Sequence, residues 1–333
     1  MNRLVKQERR VFTPDQMKVL RAKKEDLEGS TGLFVLSKKL FGPLAPIWLS
    51  SWKRDGSTKQ AFMYDAPTGD LIYTKNEISP DLYREGNGRL DGLCQDLFVS
   101  ILFQAARSQS QTVILPRDWL FTFLGWNKEN TYPFIRIKAA VNRLVNTQIY
   151  CVRKALYEHG VAEDIEPMRL LDGSHKTDGG GLSVTISTSL LEAVVENGSW
   201  GVAAGSDYLS ISRASQNSKT KNQIPKLLYL MLRSHEIRGR SEVPLSWVRP
   251  LTEWNSTQQC YNYKDMTKGR LGRAFNLLAS LDIIKDMTAD YDAGMLLCRL
   301  NKPMKKVLSV EKATQCLLSF ANPAAAMEEE LSR

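Results

Sequence analysis

The clearest pattern of apolar and polar positions lies in the last quarter of the chain. Leucine or phenylalanine recurs every three or four residues from Leu271 to Leu281, which predicts a helix with one buried face. The opposite side of this helix carries Arg270, Arg273 and Asn276 and has no acidic residue. An isolated helix of this kind is more often an ordinary surface helix than a DNA-binding one, so its neighbours decide the interpretation.

The residues that follow this helix predict a β-hairpin. Residues 283–300 contain two apolar stretches separated by a polar turn at 290–294, and the turn is rich in Asp, Ala and Gly. A helix with a basic face followed by a hairpin is the second half of a winged-helix domain. The preceding segments, a helix near 224–235 and a short strand and helix near 243–251, predict the first half.

A similar order of elements is predicted earlier in the chain. Helical periodicity begins near residue 93, a short strand follows at 112–116, two helices follow at 117–126 and 130–148, and further strands extend to 187. This is the winged-helix order expanded by one strand. Strands predicted at 32–39 and on both sides of the turn at 67–69 would form a small sheet attached to this domain.

The predicted fold class is therefore α+β, with two tandem winged-helix domains. The N-terminal arm (residues 1–31) contains a helix over 14–28, because Thr13 and Pro14 form a helix start. Residues 206–223 are rich in Ser and Asn, as expected of a linker. The predicted domains are the arm, a first winged-helix domain with leading β-strands (32–205), the linker, a second winged-helix domain (224–302) and a C-terminal tail (303–333).

The charge of the chain is concentrated in its C-terminal half. The net charge is +9 and the pI is about 9.2. Residues 212–285 contain thirteen Lys and Arg against five Asp and Glu, whereas residues 91–207 contain ten against thirteen. A basic excess confined to one region indicates an anionic partner for that region.

The residues that an enzyme would need do not assemble in the sequence. The three histidines form no HxH pair, the five cysteines form no CxxC pair, and the segment GSHKT lacks the glycine spacing of a phosphate loop. No acidic cluster suggests a two-metal site. We therefore expect no catalytic activity, cofactor or metal. No signal peptide or membrane span is predicted, and we expect a cytoplasmic protein.

Several stretches resemble plasmid replication initiators of the TrfA group, which are related to the RepA-type winged-helix initiators. The resemblance covers residues 32–284 and rests on GLFVLSKK, LIYTKNE, MRLLDG, FLGWNKENTYPFIRIKAAVNRLVNTQ, and the run from IPKLLYLMLRSHE to KGRLGRAFNLLASLDII. The most specific piece is LGW followed by an aromatic residue, a helix and RL-x-x-T. The sequence departs from that group in having no clear sliding-clamp-binding motif upstream and a longer linker.

The resemblance implies a function and partners. Such initiators bind direct repeats (iterons) of double-stranded DNA in a bacterial plasmid origin, open the adjacent AT-rich DNA and recruit the host replicative helicase and initiator proteins. It also implies a homodimeric form that controls copy number. The alternative interpretation is a winged-helix transcriptional regulator. A third, a strand-nicking replication enzyme, is disfavoured by the missing histidine pair.

The candidate DNA-binding residues follow from the chemistry of groove recognition. Arginine pairs with guanine and asparagine with adenine, whereas lysine suits phosphate. In the second domain the base-contacting candidates are Arg270, Arg273 and Asn276, and the phosphate-contacting candidates are Lys219, Lys221, Lys264 and Lys268. In the first domain the equivalent candidates are Arg136, Asn142 and Arg143, where neighbouring acidic residues make DNA contact less favourable.

Overall fold

The structure is a computed structural model that describes residues 2–3, 33–48, 64–65, 70–76, 90–108, 110–126, 132–153, 168–178, 180–191, 200–216, 223–248, 251 and 270–301. The chain divides into two compact units. The central unit contains the described residues between 47 and 191. The split unit contains those between 2 and 46 and those between 200 and 301, so the N-terminal segment belongs with the C-terminal half.

The elements are named in chain order. The first are β1 (Asn2–Arg3), β2 (Leu33–Ser37), a 3-10 helix (Ala45–Trp48), β3 (Tyr64–Asp65), β4 (Asp70–Asn76), α1 (Gly92–Ser108), β5 (Thr112–Leu115), α2 (Arg117–Leu124), α3 (Tyr132–Val145), β6 (Thr147–Arg153), β7 (Met168–Arg169), β8 (Leu171–Lys176) and β9 (Leu182–Ile186). They are followed by β10 (Trp200–Ala204), α4 (Gly205–Gln216), α5 (Gln223–Ser234), β11 (Glu236–Ile237), β12 (Arg240–Pro244), α6 (Leu245–Val248), α7 (Arg270–Ser280), β13 (Ile284–Asp290) and β14 (Met295–Leu300). This mixture of helices and antiparallel sheets confirms the α+β class.

In the central unit, the helices and strands from α1 to β9 have the predicted order. Strand β5 pairs antiparallel with β9, and β9 pairs with β8, which gives the sheet order β5-β9-β8. A separate sheet has the order β3-β4-β6-β7, in which β4 pairs along its length with β6. The prediction that the strands around 67–69 attach to this part of the chain is therefore confirmed.

Helix α2 shows why a glycine is needed in the LGW segment. The helix starts after Pro116, and it ends at Gly125, whose φ of 71° lies in the left-handed region. The Trp126 N–H donates a hydrogen bond to the Phe121 carbonyl at 2.8 Å, which closes the last turn. A residue with a Cβ atom adopts this conformation only with strain, so the turn between α2 and α3 depends on Gly125.

The split unit is built on a five-stranded antiparallel sheet with the order β1-β13-β14-β12-β11. Strand β12 follows the helix α5 and lies beside β14, the second strand of the last hairpin, just as β5 follows α1 and lies beside β9 in the central unit. The predicted hairpin turn is confirmed, and its last residue, Gly294, has a φ of +66°. Both units thus contain a helix, a strand, two helices and a later hairpin in the same order, although β6 and β7 stand between α3 and the hairpin of the central unit.

The predicted linker at 206–223 is wrong for the residues that the structure describes there. Helix α4 occupies this region, and Tyr208, Leu209 and Ile211 are buried in it. The stretch has few apolar residues and therefore resembles a linker in composition. A helix needs only one apolar side to pack on a core, so these few residues are enough. Residues 217–222 lie outside the described residues.

The first leading strand has a different partner from the predicted one. Strand β2 was expected to join the small sheet of the first domain, but it pairs with β10, where Leu36 lies opposite Gly201. It therefore belongs to the split unit. Its local pattern predicts a strand but carries no information on a partner so distant in the sequence. The predicted arm helix at 14–28 and the tail at 303–333 lie outside the described residues.

Candidate nucleic-acid interface

Helix α7 of the split unit has a buried and an outward side. Leu271, Ala274 and Leu278 are buried against the unit. The outward side carries Arg273, which is exposed, and Asn276, which is half-buried. The helix contains no acidic residue. Its outward side therefore offers a guanidinium and an amide without a carboxylate of its own helix to oppose an anionic ligand.

The Arg273 side chain has no polar partner among the residues that the structure describes. No hydrogen bond or ion pair joins its guanidinium to any residue in the described ranges. Arg270 begins α7, but its side chain is outside the described part of the structure. The four lysines predicted to contact phosphate also lie outside the described residues: Lys219, Lys221, Lys264 and Lys268.

The hairpin that follows α7 is acidic at its tip. Asp290 and Asp292 flank the exposed Tyr291, and the Asp290 carboxylate accepts a hydrogen bond from the Ala293 N–H at 3.0 Å. These carboxylates would repel phosphate. The exposed Lys285 lies near the other end of the hairpin. In this unit, helix α7 is thus better suited than the hairpin tip to meet a nucleic acid.

The corresponding helix of the central unit is α3. Its inward side buries Ile137, Ala140, Val141 and Leu144. Its outward side exposes Ile135, Arg136 and Lys138, with Ala139 and Asn142 half-buried beside them. Like α7, the helix contains no acidic residue. Two of the three predicted residues, Arg136 and Asn142, are therefore accessible on this side.

Aromatic rings flank the cations of α3. The Arg136 guanidinium lies 5.7 Å from the centre of the Trp126 ring, and the Lys138 ammonium lies 5.3 Å from the centre of the Phe134 ring. Such cation–π contacts restrict a long side chain without neutralising its charge. Both cations thus keep the charge that a phosphate group would recognise.

Arg143, the third predicted residue, has a different role in the structure. Its Nη1 lies 3.0 Å from Asp91 Oδ2, and its side chain is only 13% exposed. The other oxygen of Asp91 accepts a hydrogen bond from the Cys94 N–H at 2.9 Å, at the start of α1. Arg143 therefore links α3 to α1, and its charge is already opposed by a carboxylate. This pairing spans 52 positions in the chain, so no local pattern could reveal it.

Two outward residues of α3 were missed by the sequence patterns. Ile135 is 54% exposed, and Lys138 is exposed beside it. The available signal was an isoleucine on the polar side of the helical wheel, in a helix whose apolar side was already complete.

No protein-family model matches the chain, and no curated protein sequence matches it. Among solved structures, domains 2 and 3 of RctB are similar to it, with 11% sequence identity and a TM-score of 0.46 over 80% of this chain and 98% of that chain. The Pi initiator protein in complex with iteron DNA is similar to it with 11% identity and a TM-score of 0.43, over 71% of this chain and 99% of that chain. Neither TM-score reaches 0.5, so the function is inferred from the residues of this chain.

Within the described ranges, no helix has both the length and the apolar character needed to cross a membrane.

Proposed function

We propose that the chain is a plasmid replication initiator that binds direct repeats in origin DNA through two winged-helix domains. The observation that carries the proposal is the repeated arrangement of α1 to β9 and α5 to β14. In both, the second of the two consecutive helices (α3 and α7) is free of acidic residues and has an exposed arginine and a half-buried asparagine on its outward side. A helix that only covers the core of its unit does not require an outward side of this composition. Here two helices, one in each unit, have it.

Each part of this arrangement suits a known form of DNA recognition. A helix fits the major groove, which is about 12 Å wide, and its side chains can reach the base edges there. In this proposal Arg273 would pair with guanine, and Asn276 and Asn142 would pair with adenine. Arg136 and Lys138 would neutralise phosphates. Two domains bound at successive major-groove segments would cover a repeat of about 20 base pairs, which is two turns of about 10 base pairs.

The remaining steps of the proposal come from the resemblance to the TrfA-type initiators. The bound protein would open the adjacent AT-rich DNA, and it would recruit the host replicative helicase and initiator proteins. A homodimer would act in copy control. The protein would do this in the bacterial cytoplasm without a catalytic activity, a metal or a cofactor.

The test of DNA recognition compares two arginine variants of the split unit. The probes are a duplex carrying direct repeats identified in the DNA beside the gene and a random duplex of equal length. Arg273→Ala should lower affinity for the repeats by about 1–3 kcal/mol and leave affinity for random DNA nearly unchanged. Arg240→Ala is the matched control, since Arg240 is an exposed cation on strand β12. Equal behaviour of the two variants would contradict the proposal.

A second measurement separates phosphate contact from base contact. Lys219→Ala should weaken binding to both duplexes alike and make the dependence of affinity on salt shallower, because one fewer counterion is released. Incubation with a supercoiled origin plasmid then separates an initiator from a transcriptional regulator. An initiator melts the AT-rich DNA, whereas a regulator binds without melting it.

A further inference from the structure

Among the described side chains of α3 and α7, Ile135 is the most exposed large apolar one. It is 54% exposed, although burial of an isoleucine stabilises a folded protein. It is the fourth residue of α3, within the first turn, and the N-terminal residues of a recognition helix are the ones that contact base edges. An exposed isoleucine at this position is available to contact an apolar group of a bound ligand.

The neighbours of Ile135 suggest what that group is. Ala139 and Asn142 follow at spacings of four and seven residues, so all three lie along one line on the helix surface. Arg136 and Lys138 flank this line on its two sides, at about 100° per residue around the helix. The outward face therefore has an apolar and amide centre between two cationic borders. A helix lying in a DNA groove meets base edges along its centre and phosphates along its borders.

We propose that Ile135 recognises thymine through the 5-methyl group, and that the central unit thereby selects a thymine in the bound repeat. The 5-methyl group is the apolar group that distinguishes thymine from the other bases in the major groove, and apolar side chains are its usual partners. This inference rests on the proposed function, because it assumes that α3 enters the groove.

The position of Asn142 on α3 limits the distance between the recognised thymine and a neighbouring adenine in the DNA. Seven residues at 1.5 Å per residue separate Ile135 from Asn142 by about 10 Å along the helix. This distance equals the height of about three base pairs, which stack at about 3.4 Å. Asn142 is the residue suited to adenine. Because a helix in the groove is inclined to the DNA axis, the recognised thymine should lie within about three base pairs of an adenine in the same repeat.

A protein partner for Ile135 fits the surface less well. A stable protein interface buries about 800 Å² on each side, with an apolar centre made by several residues. Ile135 has a cation on each side instead, and both cations are exposed. A homodimer contact through this residue is therefore an outcome that the experiment must be able to detect.

The experiment removes the 5-methyl group from thymines of the DNA and, separately, replaces Ile135 of the protein by alanine. The full chain first selects duplexes from a random-sequence library. In the selected duplex, each thymine is then replaced singly by deoxyuridine, which lacks only the 5-methyl group. At one or two positions the replacement should weaken binding of the natural protein about fourfold, the effect of one buried methyl-sized group. Ile135→Ala should bind the thymine and deoxyuridine duplexes equally.

The matched control is Ile114→Ala. Ile114 is 62% exposed in the same unit, but it lies on strand β5 and not on α3. This variant should keep the full preference for thymine. Thermal unfolding of both variants by circular dichroism checks that they are folded, which is expected because neither side chain is buried.

The possible failures have different meanings. If selection enriches no sequence, the proposed function is wrong, and the inference about Ile135 is wrong with it. If a sequence is enriched but deoxyuridine has no effect, or Ile135→Ala keeps the natural preference, only the thymine inference is overturned. A change of oligomeric state in Ile135→Ala without loss of thymine preference would assign the residue to a protein contact instead.

Discussion

Arg233, at the end of α5, is a fully buried charge of the split unit. Its side chain is 0% exposed, and its Nη1 lies 2.8 Å from Oε2 of Glu236, which is 1% exposed. Its Nη2 lies 3.4 Å from Oδ2 of Asp207, which is 18% exposed. The guanidinium thus joins helix α4, helix α5 and strand β11. We predict that Arg233→Met strongly destabilises this unit.

The magnitude follows from the partner that is left behind. Methionine fills much of the same volume, so the main change is that Glu236 becomes a buried carboxylate without its cation. Breaking a buried ion pair in this way costs about 3–5 kcal/mol. The loss of the contact with Asp207 adds less to the destabilisation, because the Asp207 side chain is partly exposed to water. The double variant Arg233→Met with Glu236→Gln should recover part of the loss, since it also removes the charge of the buried carboxylate.

Urea denaturation followed by circular dichroism measures these free energies of unfolding. Because the chain has two units, the transition of the split unit must be identified, and Arg233→Met should shift that transition alone. Arg299→Met is the control, since Arg299 forms an exposed ion pair with Asp286 and its loss should change stability little. The reasoning is refuted if the free energy of unfolding of Arg233→Met lies within about 1 kcal/mol of that of the natural protein. Such a difference would be well below the cost of breaking a buried ion pair.

Three further predictions concern packing, pH and thiol reactivity. A Cβ atom on Gly201 would lie 2.4 Å from a backbone atom of helix α5. Gly201→Ala should therefore lower the free energy of unfolding by about 1–3 kcal/mol. Gly173→Ala should not lower it, because a Cβ atom on Gly173 would have no atom within 4 Å. Burial lowers the pKa of His235, so the unfolded chain binds more protons and stability should fall as pH drops below about 6.5; His235→Gln should flatten this dependence in pH-resolved urea melts. Burial raises the pKa of Cys298 to about 12 and that of Cys94 further, so in the native protein both thiols should resist alkylation at pH 8, as measured by mass spectrometry, and should react once urea unfolds the chain.

The sequence by itself determined which stretches form helices and strands over most of the described chain. The spacing of apolar residues in α1, α3 and α7 is a local property, because residues three and four apart share one side of a helix. Gly125 and the turn that ends at Gly294 are local too, since a left-handed φ favours glycine within the turn itself. The α+β class and the similar order of the two units follow from these local signals.

Only the tertiary structure decided which elements meet and which side chains remain available. Strand β2 pairs with β10, and Arg143 pairs with Asp91, through contacts between distant parts of the chain. Helix α4 buries residues in a stretch whose composition resembled a linker. The exposure of Ile135 likewise depends on how α3 packs within its unit. These outcomes depend on long-range packing, and a local pattern of residue types records the tendency to form an element but not the partner that the element finds.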